Sequence, residues 1–252
     1  MTMRAPDWLT ARPIAHRGLH ERARGVIENT PSAIGAAMDR GFAFEVDLQL
    51  TMDGEAMVYH DDELGRLAEG HGALRQITSA DLRHVPFRET SDRMISLGEL
   101  CEIVAGRVTM VLELKSHFDD DDELVRRVAS VLAHYHGHVA VMSFDPFQVH
   151  ALRRLAPHLT RGLVAENNYE TGEWLALPPA KRNMMKNMRQ AFHAQPQFIA
   201  YNVNDLPSTA PWIARSLFGL PLLTWTVRTP EQRARAARWA DQMIFETFVP
   251  AE

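Results

Sequence analysis

Cysteine is almost missing: Cys101 stands alone among 252 residues. One thiol forms no intramolecular disulfide, so nothing in the chain calls for an oxidising compartment. Positive charge is not in excess either. The 27 lysines and arginines face 32 aspartates and glutamates, for a formal charge of −5. That excludes the basic footprint of a nucleic-acid binder, while a local cationic spot can still hold a small phosphate. No apolar run is long enough to cross a bilayer, and the opening MTMRAPDWLTARP lacks the apolar core of a signal peptide. The expectation is a cytoplasmic protein with no stable membrane insertion. Short repeats and low-complexity segments are also lacking, and the sequence leaves the oligomeric state open.

What is present is an alternation of short apolar strands and helical patterns. Strands are predicted near 12–16, 42–48, 56–60, 107–114, 138–143, 160–164, 197–201, 221–226 and 241–245. Helical patterns fall near 31–40, 97–105, 120–135, 146–156, 173–192, 208–218 and 230–239. This rhythm predicts a parallel sheet with helices outside. About eight units in this length suit one TIM (β/α)8 barrel domain over 1–252, with an open doubly wound sheet as runner-up. The runner-up wants a glycine-rich turn after the first strand, and His16-Arg17-Gly18 supplies one glycine. Thr30 and Pro31 suit a helix start, and Gly41 a left-handed helix stop. Residues 61–94 are polar and break the rhythm, as an excursion at the active-site end.

The charges fall where barrel chemistry is expected. Strand alternation puts Phe44, Val46 and Leu48 on one face and Ala43, Glu45 and Asp47 on the other. Leu112 and Leu114 likewise oppose Glu113 and Lys115. Two strands that aim charge inward at their C-terminal ends point to a site, because a core does not accept unpaired charges. Three clustered carboxylates repel one another, and a hard divalent cation with oxygen ligands, Mg²⁺ or Ca²⁺, removes the problem. Glu45, Asp47 and Glu113 with one such ion and a phosphodiester leave two negative charges, which Arg17 and Lys115 cancel. His16 and His60 each follow a strand, so one imidazole can take a proton from the nucleophile while the other protonates the leaving alkoxide.

Each residue has an ordinary reading beside the chemical one. Glu45 or Asp47 alone would pass as a buried ion-pair partner, His16 or His60 as a packed histidine, and Lys115 as a chain reaching the rim. Glu28-Asn29-Thr30 reads mainly as a helix start. Asp61 and Asp62 either orient His60 or cap a turn. Trp225 either walls a pocket or fills the core. His134, His136 and His138 spell HxHxH at a helix end, where histidines complement the dipole, and the acidic run Asp119–Glu123 opens a helix. Met184, Met185 and Met188 read as one helix face.

These residues resemble the glycerophosphodiester phosphodiesterase family. The likeness rests on HRG at 16–18, ENTPSAI at 28–34, FEVDLQLTMDGEAMVYHDDELGR at 44–66, SLGEL at 96–100 and LELK at 112–115. Ser143-Phe144 and Thr224-Trp225-Thr226-Val227 look like its fourth- and seventh-strand signatures. The resemblance implies a TIM barrel with a small insertion after the second strand. It implies metal-dependent hydrolysis of glycerophosphodiesters to glycerol 3-phosphate and an alcohol. It further implies metal ligation by Glu45, Asp47 and Glu113, acid/base work by His16 and His60, and substrate contacts from Arg17 and Lys115. The last strand departs: Ile244-Phe245-Glu246-Thr247-Phe248 stands where the family has an Ile-Thr-Asp-x-Pro-like stretch. Two other readings stay open, a phospholipase-type enzyme acting on lipids and a non-catalytic barrel that binds phosphorylated ligands.

Overall fold

The computed structural model describes residues 4–250. Among them eight parallel strands close into a barrel: β1 (Ile14–Ala15) and β2 (Ala43–Leu50), then, after the short β3 (Ala56–Val58), β4 (Met110–Leu114), β5 (Val139–Ser143), β6 (Thr160–Ala165), β7 (Phe198–Asn202), β8 (Leu222–Val227) and β9 (Gln242–Phe245). Closure comes from β1, which pairs with both β2 and β9. The helices are α1 (Pro31–Asp39), α2 (Ser79–Leu82), α3 (Leu97–Val104), α4 (Glu123–Leu132), α5 (Pro146–Leu155), α6 (Pro179–Lys186), α7 (Ala191–Ala194), α8 (Thr209–Phe218) and α9 (Pro230–Trp239). The expected TIM barrel is the observed fold.

The alternation read in β2 and β4 sorts residues between two cores. Phe44, Val46, Leu48, Leu112 and Leu114 pack outward with Ile34, Leu100, Leu124 and Val128 of the helices. Ala43 and Val111 point inward with Ala140, Val164, Phe198, Leu223 and Ile244. Burying one such large side chain contributes about 1.5–3 kcal/mol, so a one-residue slip of β2 would expose several apolar groups at once. The chain from Asp7 to Thr10 closes the far end of the barrel, with Leu9 buried and Ala5 N–H donating to the Gln197 carbonyl (3.0 Å).

α1 begins and ends as its sequence dictates. The Thr30 hydroxyl accepts from Ala33 N–H, and Pro31 takes the first helical position. At the other end Gly41 has φ +66°, with Gly41 N–H on the Met38 carbonyl (2.9 Å) and Phe42 N–H on the Ala37 carbonyl (3.0 Å). Those two bonds satisfy the last free carbonyls of the helix and launch β2.

Three expectations change. The strand near 56–60 shortens to β3 and runs antiparallel to β2, with Gln49 opposite Met57, so it is the return arm of a hairpin. The helix expected over 173–192 breaks into a short turn at Gly172–Ala176, α6 and α7. Pro178 and Pro179 cannot continue a preceding helix, and Pro179 instead starts α6. Met185 and Met188 are buried there while Met184 is exposed. The helix expected from 120 starts at Glu123, because Asp120 has φ +60° and the Asp121 carboxylate accepts Glu123 N–H (2.9 Å). Residues 61–94 gather Leu64, Leu67, Leu74, Leu82 and Phe87 against Ile27, Met57 and Tyr59, so the excursion packs on the hairpin.

Candidate active site

The turn after β1 sets the geometry. His16 N–H donates to the Phe245 carbonyl (2.9 Å) and Gly18 N–H to the Glu45 carbonyl (3.1 Å). Gly18 has φ +80°, and a Cβ there would stand 2.8 Å from Ala33. Only glycine fits so close to α1 in that conformation. The turn thereby spans β9, β1 and β2, and it delivers His16 and Arg17 to the barrel mouth.

Glu45, Asp47 and Glu113 converge at that mouth. Asp47 and Glu113 are register partners on neighbouring strands, and one carboxylate oxygen from each of the three lies within 4.8 Å of the other two. Arg17 backbone N–H donates to Glu45 Oε2 (3.0 Å), while Glu45 Oε1 is buried with no hydrogen-bond partner. Burial, then the charges of Asp47 and Glu113, push the Glu45 carboxyl well above its usual range. Asp47 goes the other way: against burial, Lys115 and Arg17 hold it far below the usual range. Lys115 Nζ lies 2.9 Å from Asp47 Oδ1 and 2.7 Å from Glu113 Oε1. Arg17 Nε is 3.2 Å from Asp47 Oδ2. A buried carboxylate oxygen without a donor, in an all-oxygen set, fits a hard divalent cation.

Asn29, which reads in the sequence mainly as part of a helix start, positions Asp47. Its Nδ2 donates to Asp47 Oδ2 (2.9 Å), and Asp47 N–H donates back to Asn29 Oδ1 (3.2 Å). Asn29 itself is held at φ +59°, a conformation asparagine tolerates better than most residues.

Each histidine has its own carboxylate. His16 Nδ1 lies 2.8 Å from Glu246 Oε2, and Arg228 donates to the same oxygen (2.9 Å). Burial lowers the His16 pKa below 6.5, against the pull of Glu246. Glu246 is drawn down to about 2, against burial, by His16 and Arg228. The departure in the last strand is thus the partner of the first histidine. His60 Nδ1 lies 2.8 Å from Asp61 Oδ1, so Asp61 orients that imidazole. The β2–β3 hairpin carries it: Tyr59 N–H donates to the Asp47 carbonyl (3.1 Å), and Gln49 Nε2 to the His60 carbonyl (3.0 Å). Arg66 then links the two halves, donating to Asp61 (2.7 Å) and Glu28 (2.8 Å), while Arg17 Nη1 also donates to Glu28 (2.6 Å). Sequence alone does not bring Arg66 to Glu28, because their meeting depends on how the excursion folds back.

A cavity of about 420 Å³ opens beside this set, lined on one side by His60, Glu113 and Lys115 and on the other by Phe118, Phe144 and Trp174. Trp174 lines the cavity, and Trp225 stands half-buried and edge-on to Phe144 (5.4 Å), another lining residue. The HxHxH stretch forms no ligand set among the described residues; the His138 ring stacks on Trp8 at 4.9 Å instead. The acidic run is bound by Arg75, which meets Asp119 (3.2 Å) and Asp121.

Residues 16–248 match the family model described as the glycerophosphoryl diester phosphodiesterase family. A glycerophosphodiester phosphodiesterase of Caldanaerobacter subterraneus subsp. tengcongensis is 27% identical over 234 residues, covering 88% of each chain. One from Bacillus altitudinis is 28% identical over 212 residues, covering 76% of this chain and 85% of its own. Among solved structures, a phosphodiesterase of Oleispira antarctica in complex with its product sn-glycerol-3-phosphate superposes with a TM-score of 0.74 at 20% identity, covering 92% and 91% of the two chains. No helix among the described residues is long and apolar enough to cross a membrane.

Proposed function

The chain belongs to the glycerophosphoryl diester phosphodiesterase family, and from that premise we propose that it hydrolyses small glycerophosphodiesters to glycerol 3-phosphate and an alcohol. The observation that carries the reading is the convergence of Glu45, Asp47 and Glu113, with Arg17 and Lys115 beside them. These carboxylates would hold one divalent cation, Mg²⁺ or Ca²⁺. When bound, such an ion supplies charge stabilisation to the phosphoryl oxygens.

The remaining steps belong to side chains of this protein. Arg17 and Lys115 bind the phosphate and balance its charge. Glu246 holds the proton on His16 Nδ1 and leaves Nε2 as the working nitrogen, and Asp61 does the same for His60. One imidazole removes a proton from the attacking oxygen, which belongs to water or to the neighbouring glycerol hydroxyl. As the new P–O bond forms and the ester P–O bond breaks, the second imidazole protonates the departing alkoxide. Attack by the hydroxyl gives a cyclic phosphate, whose ring P–O bond water then opens to glycerol 3-phosphate. Phe118, Phe144 and Trp174 wall the cavity beside His60 and give the substrate an apolar side. A water-soluble substrate asks for no membrane, and we place the reaction in the cytoplasm.

The test is direct. The purified protein is given glycerophosphocholine, glycerophosphoethanolamine and glycerophosphoglycerol with Mg²⁺ or Ca²⁺, and glycerol 3-phosphate is quantified. Release from at least one substrate is expected, and no release from any would refute the reading.

A further inference from the structure

A second constellation of different chemistry lies beside the oxygen-only set. His16 Nδ1 is 2.8 Å from Glu246 Oε2, and His20 Nε2 is 3.9 Å from Glu246 Oε1. One donor atom from each of the three lies within 4.8 Å of the others. His20 Nε2 is buried and has no hydrogen-bond partner among the described residues. The fold explains the meeting. His16 and His20 flank the turn after β1, and barrel closure brings the end of β9 against them. Burial lowers both imidazole pKa values, which favours the neutral form that ligates metals.

We propose that His16, His20 and Glu246 form a second cation site, selective for a borderline transition ion of the Zn²⁺ type, whose filling switches off hydrolysis by removing His16 from proton transfer. Two imidazoles and one carboxylate suit Zn²⁺, whereas Mg²⁺ and Ca²⁺ prefer all-oxygen sets. The two sites therefore differ in which ion they choose. Tetrahedral bonds of about 2.1 Å place donor atoms roughly 3.4 Å apart. The observed separations, 2.8 Å to Glu246 Oε2 and 3.9 Å to Glu246 Oε1, lie on either side of that figure. Zn²⁺ would take Nδ1 of His16, Nε2 of His20 and Glu246, with solvent completing the shell. Opposing it is Arg228, whose Nη2 donates to Glu246 Oε2 at 2.9 Å. That side chain is 47% exposed and can turn to water. Its charge weakens the site, which accordingly fills when free zinc rises and is empty otherwise.

Only the inhibitory consequence rests on the proposed function; ion binding does not. The experiment keeps the protein in saturating Mg²⁺, adds Zn²⁺, and follows zinc uptake by equilibrium dialysis alongside glycerol 3-phosphate release. The wild type is expected to take up one Zn²⁺ and lose activity in step with uptake. His20→Gln is expected to keep its Mg²⁺-supported rate within about twofold while binding zinc about tenfold or more weakly, as loss of one of three protein ligands requires. Zinc-edge X-ray absorption of the wild type in excess Mg²⁺ should show imidazole scattering from two histidines, a readout independent of any variant. An all-oxygen shell, an undiminished response in His20→Gln, or no uptake by the wild type would each overturn the site. Uptake through imidazoles in a protein that releases no glycerol 3-phosphate would leave the site standing and refute the hydrolytic reading instead.

Discussion

His16 Nδ1 and Glu246 Oε2 meet at 2.8 Å across 230 positions of sequence. β1 pairs with β9 through Ala15 and Phe245, and each strand's next residue completes the contact. A carboxylate on Nδ1 fixes the imidazole's tautomer and orientation, which leaves Nε2 for chemistry. Glu246→Gln keeps the size but can present an N–H to Nδ1 and favour the wrong tautomer. The expected outcome is a fall in kcat of about 10- to 100-fold with KM little changed. Steady-state release of glycerol 3-phosphate measures it.

The same pair sets a pH dependence. The His16 pKa lies below 6.5, so one limb of the kcat/KM profile should fall below that pH. Glu246 raises the His16 value, so Glu246→Gln should move that limb to still lower pH. Glu246 itself is depressed from 4.5 to about 2. Its contribution to stability is present above the unfolded value and is lost as pH falls from about 4.5 toward 2. A pH series of thermal melts should show that loss in the wild type and a smaller one in Glu246→Gln.

Asn29 offers a stability test. Asn29→Ala removes both hydrogen bonds to Asp47 and places alanine at φ +59°. Asn29→Gly loses the bonds but accepts the backbone. Urea denaturation should find the alanine variant less stable by about 1–3 kcal/mol, and the glycine variant between it and the wild type.

Arg66 joins Asp61 to Glu28. Arg66→Met should lower kcat/KM by about tenfold as both His60 and Arg17 lose support, whereas Arg66→Lys should recover part of the loss. Equal rates for Met and wild type would show that the link carries nothing.

Much of this is legible in the sequence because strand alternation is local. Phe44, Val46 and Leu48 against Glu45 and Asp47 separate helix-facing from barrel-facing residues without any tertiary knowledge. The helical pattern over 230–239 likewise matches α9, which Thr229 caps. What is hidden depends on which elements become neighbours. The pairing of β1 with β9, the hairpin that returns His60, and the fold-back that brings Arg66 to Glu28 carry no local pattern. The place of Trp174 is hidden for the same reason: it lies in a segment cut short by Pro178, yet it lines the cavity.

The central claim is that Glu45, Asp47 and Glu113 share one ion on which turnover depends. Calorimetric titration of chelator-treated protein with Mg²⁺ or Ca²⁺, run beside a rate assay on the same samples, tests it most directly. One ion per chain is predicted, with turnover returning in proportion to occupancy, and with both lost in a folded Glu113→Gln protein. Full turnover by the chelated protein, or by Glu113→Gln, would contradict the account.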